Sequence, residues 1–260
     1  MENDLVADAK ALVPNGPPVF DMIEEERRHR LERLAGVCRV FGRMGYAEGL
    51  LGHVTVRDPE HHDRFWMNPV GKSFRQMRVS DLVSVTHDGQ VVAGSGSINP
   101  VGFRLHSAVH AARPEVTAVC HAHSLHGKAW SSLGRVLDPI TQDSAVFFEQ
   151  QAIITSPRIA LDEAGGKEFA VGFGSKRVAI QVGHGLFSTG ETVDEAAWWF
   201  IAMDTSCRAQ LLAEAAGSPV QWSPDEARMM VRALGSPQFG WASFQPFCNE
   251  LIVTDPDLLD

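Results

Sequence analysis

Two histidines spaced two residues apart carry the strongest chemical signal in the chain. His121 and His123 lie at the end of a short apolar run, residues 116–120, whose composition predicts a buried strand. Side chains two residues apart on a strand point to the same face, so both imidazoles would be aimed together where the strand ends. Two such rings form one edge of a metal site. A pair of hydrogen-bonded core histidines would give the same pattern, so the pair alone leaves both interpretations open.

A third histidine favours the metal site. His184 follows another apolar run and stands between Gly183 and Gly185, which leave room around its ring. Three neutral imidazoles can bind a divalent metal and leave roughly two or three coordination positions open for a chelating ligand. Imidazole suits zinc and iron(II) alike, so the ligands do not select the metal. We therefore expect His121, His123 and His184 to form a three-histidine metal centre.

Other polar residues give weaker signals. His106 and His110 lie four residues apart on one face of a predicted helix, but no acidic residue stands between them, so we expect them to pack in the core rather than bind metal. Gln142, Asp143 and Glu149 fall on a predicted loop that could reach the metal. We expect all three side chains to be solvated on that loop instead of binding the metal.

Composition limits the class of protein. The chain has 260 residues, 44% apolar and 21% charged, as expected for a globular protein with one large domain. Its net charge of −9 gives no support to a nucleic-acid-binding or anionic-membrane-binding surface. No apolar run approaches the roughly 20 residues of a membrane span, and the N-terminus lacks the basic start and apolar core of a secretory signal. The four cysteines are widely spaced, so we expect reduced thiols and a cytoplasmic protein.

The predicted elements place the histidines in a layered α/β domain. Hydrophobic spacing predicts helices over residues 22–44, 103–112, 124–133, 162–173, 193–216 and 225–234. Strands are predicted over residues 53–57, 65–67, 82–86, 90–93, 116–120 and 178–182, and a loop over 138–151. Asp88-Gly89 predicts a hairpin turn between the third and fourth strands. This order indicates an α/β fold with a central mixed sheet.

The same pattern divides the chain into three segments. Residues 1–20 contain Pro14, Pro17 and Pro18 with little apolar pattern, which predicts a flexible N-terminal arm. Residues 21–220 form the predicted metal-binding domain. Residues 221–260 contain a helix and then an aromatic tail, residues 239–247, which we expect to pack on the domain or on a neighbouring subunit.

Taken together, the chain resembles the class II aldolase/adducin family over about residues 28–216. The matching segments are Gly52–Arg57, Asn68–Gly71, the helix through Phe103–His106, Ala112–His123 and Gly183–Leu186. The resemblance implies an α/β/α sandwich with a largely antiparallel sheet. It also implies a divalent metal on the three histidines and a homotetramer with sites at subunit interfaces.

The chain departs from the sugar-phosphate aldolases of that family at the acid/base position. Those enzymes place a glutamate just before the aromatic residue that aligns with Phe103. Here the aligned residue is Gly102, which can transfer no proton. The aldolases also use a tyrosine as proton donor, and the one tyrosine of this chain, Tyr46, precedes the first strand and does not align with it.

The phosphate-binding positions also differ. Where the aldolases carry small hydroxyl and amide side chains, this chain has His53, Val70, Pro100 and Val101, and only Gly71 of the phosphate-loop pattern remains. Val70, Gly71, Val101 and Phe103 would instead line an apolar substrate pocket. The departures favour a small unphosphorylated substrate over a sugar phosphate.

The leading hypothesis is a non-heme iron(II) oxygenase. The resembled family includes the non-heme iron oxygenases of aminocoumarin antibiotic biosynthesis, which act on a prenylated 4-hydroxyphenylpyruvate. An aromatic α-oxo or α-hydroxy acid suits an apolar pocket and can chelate the metal, and its oxidative decarboxylation with dioxygen does not need the missing glutamate. The expected partners are therefore an oxo acid and dioxygen.

Two alternatives stay open. A zinc- or manganese-dependent lyase, decarboxylase or aldolase would act on the same acids without oxygen, with His53 as its acid/base; a structural histidine at the start of a strand is the other interpretation of His53. The third possibility is a non-catalytic, adducin-like scaffold. Three converging imidazoles argue against a scaffold, which has no need of them.

Overall fold

An eight-stranded sheet forms the centre of the molecule. The computed structural model describes residues 11, 13, 15–155 and 162–260. The strands are β1 (His53–Arg57), β2 (Arg64–Met67), β3 (Val83–Thr86), β4 (Val91–Ala93), β5 (Ala118–Ala122), β6 (Gln151–Ile154), β7 (Val178–Gln181) and β8 (Gly185–Gly190). Their order across the sheet is β4-β3-β2-β1-β5-β8-β7-β6, and among these described strands only the β6–β7 pair is parallel. The predicted α/β fold with a mixed, largely antiparallel sheet is confirmed.

Helices cover both faces of the sheet. They are α1 (Ile23–Arg43), α2 (Pro100–Ala112), α3 (Leu125–Ser131), α4 (Gln142–Ala145), α5 (Glu163–Phe173), α6 (Val193–Ala216), α7 (Pro224–Leu234) and α8 (Pro237–Thr254). The main core lies between the sheet and α1, α6 and α8, whereas α2 and α5 pack together over the opposite face. No helix in the described part of the chain is long and apolar enough to cross a membrane. Most of the predicted N-terminal arm lies outside the described residues.

The alternation of side chains along β1 and β5 determines on which face of the sheet the candidate metal-binding histidines lie. Val54 and Cys120 point into the main core with α1 and α6. The residues of opposite parity, including Thr55 and Val119, face α2. His121 has the same parity as Val119, so the metal-binding candidates lie on the α2 side of the sheet.

Two strands were not predicted, and both have physical explanations. The predicted loop over residues 138–151 ends in β6, where the side chain of Gln151 bonds the backbone of Leu137 through both its amide oxygen and its nitrogen (2.8 and 3.0 Å). Segment β8 has only two large apolar residues, Leu186 and Phe187. It is nevertheless wholly buried because it pairs with β5 on one side and β7 on the other.

The predicted aromatic tail is a helix. Helix α8 begins after Ser236, whose hydroxyl accepts the backbone N–H of Phe239 at 3.1 Å. Phe244 and Cys248 are buried against α6, as their four-residue spacing on one helical face allows. At Gly240 the two helices come so close that an added Cβ would lie 2.8 Å from the ring of Trp199. This segment therefore packs on the domain itself.

The turn after β1 depends on one buried carboxylate. Asp58 accepts hydrogen bonds from Arg27 Nε at 2.9 Å and from Trp66 Nε1 at 2.8 Å. The backbone N–H groups of Glu60 and His61 donate to the same side chain at 3.0 and 2.9 Å. Burial alone would raise the pKa of Asp58, but the Arg27 guanidinium and the other donors outweigh it and lower that pKa.

An Asp58→Asn substitution is expected to reduce the free energy of unfolding by about 2–3 kcal/mol at pH 7. Because the pKa of Asp58 is lower in the folded protein, its stabilising contribution is complete above about pH 5 and is lost progressively as the pH falls further. The difference between wild type and variant, measured by urea unfolding, should therefore narrow below that pH. Asp63→Asn, at an exposed carboxylate of the same turn, should change stability by less than about 0.5 kcal/mol. A wild-type-to-variant difference independent of pH would contradict this account of Asp58.

Candidate metal centre

The three predicted histidines converge in the structure. His121 is the fourth residue of β5, His123 follows the end of that strand, and His184 lies in the tight turn between β7 and β8. One ring nitrogen from each lies within 4.8 Å of the others. The ring centroids are 5.0 Å apart for His121–His123, 4.7 Å for His121–His184 and 4.9 Å for His123–His184. Three rings so arranged can direct nitrogens at one ion, as expected.

The turn that carries His184 differs from the prediction. The sequence pattern placed His184 at the end of a strand over residues 178–182, but β7 ends at Gln181 and the chain reverses at once into β8. Gly183 adopts a left-handed φ of +70°, a conformation that a side chain would disfavour. This reversal delivers His184 back towards β5, because β8 pairs with β5.

Hydrogen bonds fix two of the rings. The Nδ1–H of His121 donates to the carbonyl oxygen of Leu186 at 2.8 Å, and the ring stacks on Phe187 with centroids 4.0 Å apart. His184 Nδ1 donates to the side-chain oxygen of Gln181 at 2.5 Å. Since each Nδ1 carries the proton, each Nε2 keeps its lone pair for a metal.

The environment keeps the three rings neutral. Burial lowers the pKa of His121 well below its usual value, and His184 and His123 lower it further. Burial and the nearby His123 lower the pKa of His184 to about 4, and burial and Lys128 lower that of His123. Neutral imidazoles are the form that binds a metal. In the part of the chain that the structure describes, no carboxylate or thiol joins this group, so the donor set is three imidazoles, which suit zinc or iron(II).

His53 lies beside the centre. Strand pairing places it opposite His121, and the two rings stack nearly parallel with centroids 6.2 Å apart. A Cβ added at Gly102 would lie only 2.3 Å from ring atoms of His53. The imidazole of His53 thus occupies the space where a side chain at position 102 would begin. The His53 ring can therefore occupy this position only because residue 102 has no side chain.

The four predicted substrate-lining residues have different surroundings. Val70 and Val101 are half-buried and Gly71 is exposed. Phe103 is buried in a cluster with Phe65, Met67, Val83 and Val85, and its ring stacks on Phe65 with centroids 5.8 Å apart. Contact of any of these residues with substrate stays a prediction.

Sequence reasoning missed the partner of two buried histidines. Thr55 Oγ1 lies 2.9 Å from His106 Nδ1 and 2.9 Å from His110 Nε2. A threonine hydroxyl has one proton, so when it donates to one ring it accepts from the other. Because the contacts are to Nδ1 of His106 and Nε2 of His110, the two neutral histidines then hold the same tautomer. The predicted core role of His106 and His110 is confirmed. Thr55 stands two residues after His53, and this period-2 spacing is the signal that could have identified it.

The remaining candidates lie away from the centre. Glu149 forms an ion pair with Arg228 at 2.7 Å, and Gln142 and Asp143 are exposed on α4. Tyr46 is buried, and burial together with Asp204 raises its pKa. These placements agree with the expectation that none of them serves the metal.

Comparison with known proteins identifies the family of the chain. Residues 32–211 match the family model of the Class II Aldolase and Adducin N-terminal domain. "Decarboxylase NovR" from Streptomyces niveus is 40% identical over 245 residues, which cover 93% of this chain and 91% of that protein. A protein from Streptomyces roseochromogenus subsp. oscitans is 39% identical over 245 residues, covering 93% of this chain and 88% of its own length. Its name is "4-hydroxy-3-prenylphenylpyruvate oxygenase/4-hydroxy-3-prenylbenzoate synthase".

A solved structure is similar over almost the whole chain. It is described as L-fuculose 1-phosphate aldolase from Glaciozyma antarctica PI12, with a TM-score of 0.88 and 39% sequence identity. The match covers 96% of this chain and 99% of that one. These relatives are named as enzymes. The residues that match the family model, 32–211, include all three histidines. The chain is therefore an enzyme of the class II aldolase/adducin family.

Proposed function

We propose that this chain is a non-heme iron(II) oxygenase that decarboxylates an aromatic α-oxo acid with dioxygen. The observation that carries the proposal is the donor set, three neutral imidazoles at His121, His123 and His184 with glycine at the position of the aldolase glutamate. The relative named as a prenylphenylpyruvate oxygenase, 39% identical, supports the choice of substrate class.

The charge of the centre favours an anionic chelating substrate. Three neutral ligands would leave the divalent charge of a bound ion uncompensated in a partly buried site, and such a charge would attract a carboxylate. The carboxylate and the neighbouring carbonyl oxygen of an α-oxo acid would both be available as ligands to an ion held by the three histidines. Iron(II), when bound, supplies the redox chemistry through which dioxygen reacts with such an acid.

The protein side chains hold this arrangement. The carbonyl of Leu186 and the ring of Phe187 orient His121, and the Gln181 side chain orients His184. Such outer contacts keep the ligand nitrogens aimed at one point while substrate exchanges. The overall reaction balances if one oxo acid and one dioxygen give one carbon dioxide and a hydroxy acid one carbon shorter.

Oxygen uptake tests the proposal. Protein loaded anaerobically with iron(II) and mixed with 4-hydroxyphenylpyruvate is expected to consume oxygen and release carbon dioxide in a ratio of about one to one. A His121→Ala variant treated identically is the control. Uptake by wild type no greater than that of the variant would rule the oxygenase out.

A zinc- or manganese-dependent lyase, decarboxylase or aldolase is the second candidate. The similarity to a structure described as an L-fuculose 1-phosphate aldolase, 39% identical, is the observation that favours it. With no proton-transferring group at Gly102, acid/base work would fall to His53, whose pKa is lowered to about 4 by burial and by His123 and His184, leaving a neutral ring. Turnover of an oxo acid without oxygen would support this candidate.

A homotetramer with sites at subunit interfaces also stays a prediction, which sedimentation can test.

A further inference from the structure

His53 is a buried side chain whose hydrogen-bonding capacity is not used by the protein. The residue is 6% exposed, and neither Nδ1 nor Nε2 has a hydrogen-bond partner among the described residues. The same holds for Nε2 of His106, whose ring is fully buried and lies 5.9 Å from that of His53. Buried polar atoms are normally paired, so each unpaired one calls for an explanation such as a catalytic role or a bound water or ion.

The surroundings show which ligand these atoms can reach. The His53 ring stacks on His121 on one side and meets His106 edge-on at another. The ring therefore borders the three-histidine centre.

Gly102 holds the ring in this place. Asn99 caps helix α2 by accepting the backbone N–H groups of Val101 and Gly102 at 3.0 and 3.4 Å, which fixes the first turn of the helix. Since a Cβ at Gly102 would overlap the His53 ring, the ring can lie against this turn only because residue 102 is glycine.

We propose that His53 is a substrate-contacting residue whose ring N–H donates a hydrogen bond to a carboxylate oxygen of the acid bound at the three-histidine centre. This inference takes one element from the proposed function, namely that the bound ligand is an α-oxo acid. A carboxylate accepts hydrogen bonds from several directions, so it can use metal and imidazole together. Ketones without the carboxylate lack this contact and should bind more weakly.

Zinc-loaded protein allows the contact to be tested without turnover. Isothermal titration calorimetry would measure the affinity for oxalate, a small chelating dianion, and for phenylpyruvate. His53→Leu keeps a side chain of similar size but removes both nitrogens, whereas His53→Gln retains a donor and an acceptor. Zinc content and melting temperature of both variants would be measured alongside.

His53→Leu is expected to bind zinc at about one per chain, to keep or raise its melting temperature, and to lose at least about tenfold in oxalate affinity. His53→Gln should retain most of that affinity. Unchanged oxalate affinity in His53→Leu would overturn the proposal. So would an equal fall of affinity and melting temperature in both variants, because this is the result for a purely structural histidine.

The two ligands separate this inference from the proposed function. If wild type binds oxalate but not phenylpyruvate, the aromatic substrate class is wrong, and the role of His53 is decided by oxalate alone. If zinc-loaded wild type binds neither acid, both the substrate class and the role of His53 are overturned.

Discussion

Replacing His121 with alanine is expected to abolish metal binding and turnover. His121 is the most buried of the three candidate ligands, at 2% exposure, and its ring is held between Phe187 and the carbonyl of Leu186. Loss of an outer hydrogen-bond partner of a ligand costs about 10- to 100-fold in metal affinity, and loss of the ligand itself should exceed this. Metal content after dialysis and oxo-acid turnover are the measurements.

The control for this substitution is His61→Ala. His61 lies in the exposed turn after β1 and contacts none of the three rings. It should leave metal content and turnover at wild-type levels. A His121→Ala protein that retained its metal would contradict the assignment of the centre.

Gly102→Ala is expected to damage the site despite adding only one methyl group. The new Cβ would lie 2.3 Å from ring atoms of His53, far inside normal contact distance, so the ring or the first turn of α2 must move. Overpacking of this kind costs about 1–3 kcal/mol of stability. Turnover should fall by more than about tenfold, because displacement of groups near the reacting atoms is costly.

Two further variants make this prediction specific. Gly36→Ala, on the buried face of α1, places its Cβ at an ordinary 3.8 Å from Leu251 and should be neutral or stabilising by up to about 1 kcal/mol. In the double variant His53→Ala/Gly102→Ala the overlap is removed, so stability should recover relative to Gly102→Ala alone while turnover does not. Additive losses of stability would contradict the packing account.

The three histidines of the centre could be predicted from the sequence, but the backbone path that positions His184 could not. The period-2 spacing of His121 and His123 needs only the geometry of one strand, and the structure places both rings together. His184 was identified by its residue type and flanking glycines, but its delivery depends on the β7–β8 reversal. That reversal could not be predicted because β8 is buried by its two neighbours rather than by its own apolar pattern.

The relation between His53 and Gly102 could not be predicted from the sequence. The two residues are far apart in the chain and meet only because strand β1 passes under the first turn of α2. Likewise, residues 239–247 were predicted as an aromatic tail because of their clustered aromatic residues. It is helical because Phe244 and Leu251 are buried in the main core against α6.

Metal reconstitution with and without oxygen tests the central claim most directly. Metal-free protein would receive iron(II), zinc or manganese, and turnover of 4-hydroxyphenylpyruvate would be followed in air and under nitrogen. The oxygenase account predicts turnover with iron(II) alone and only in air. Turnover under nitrogen with zinc or manganese would contradict it and establish the lyase alternative.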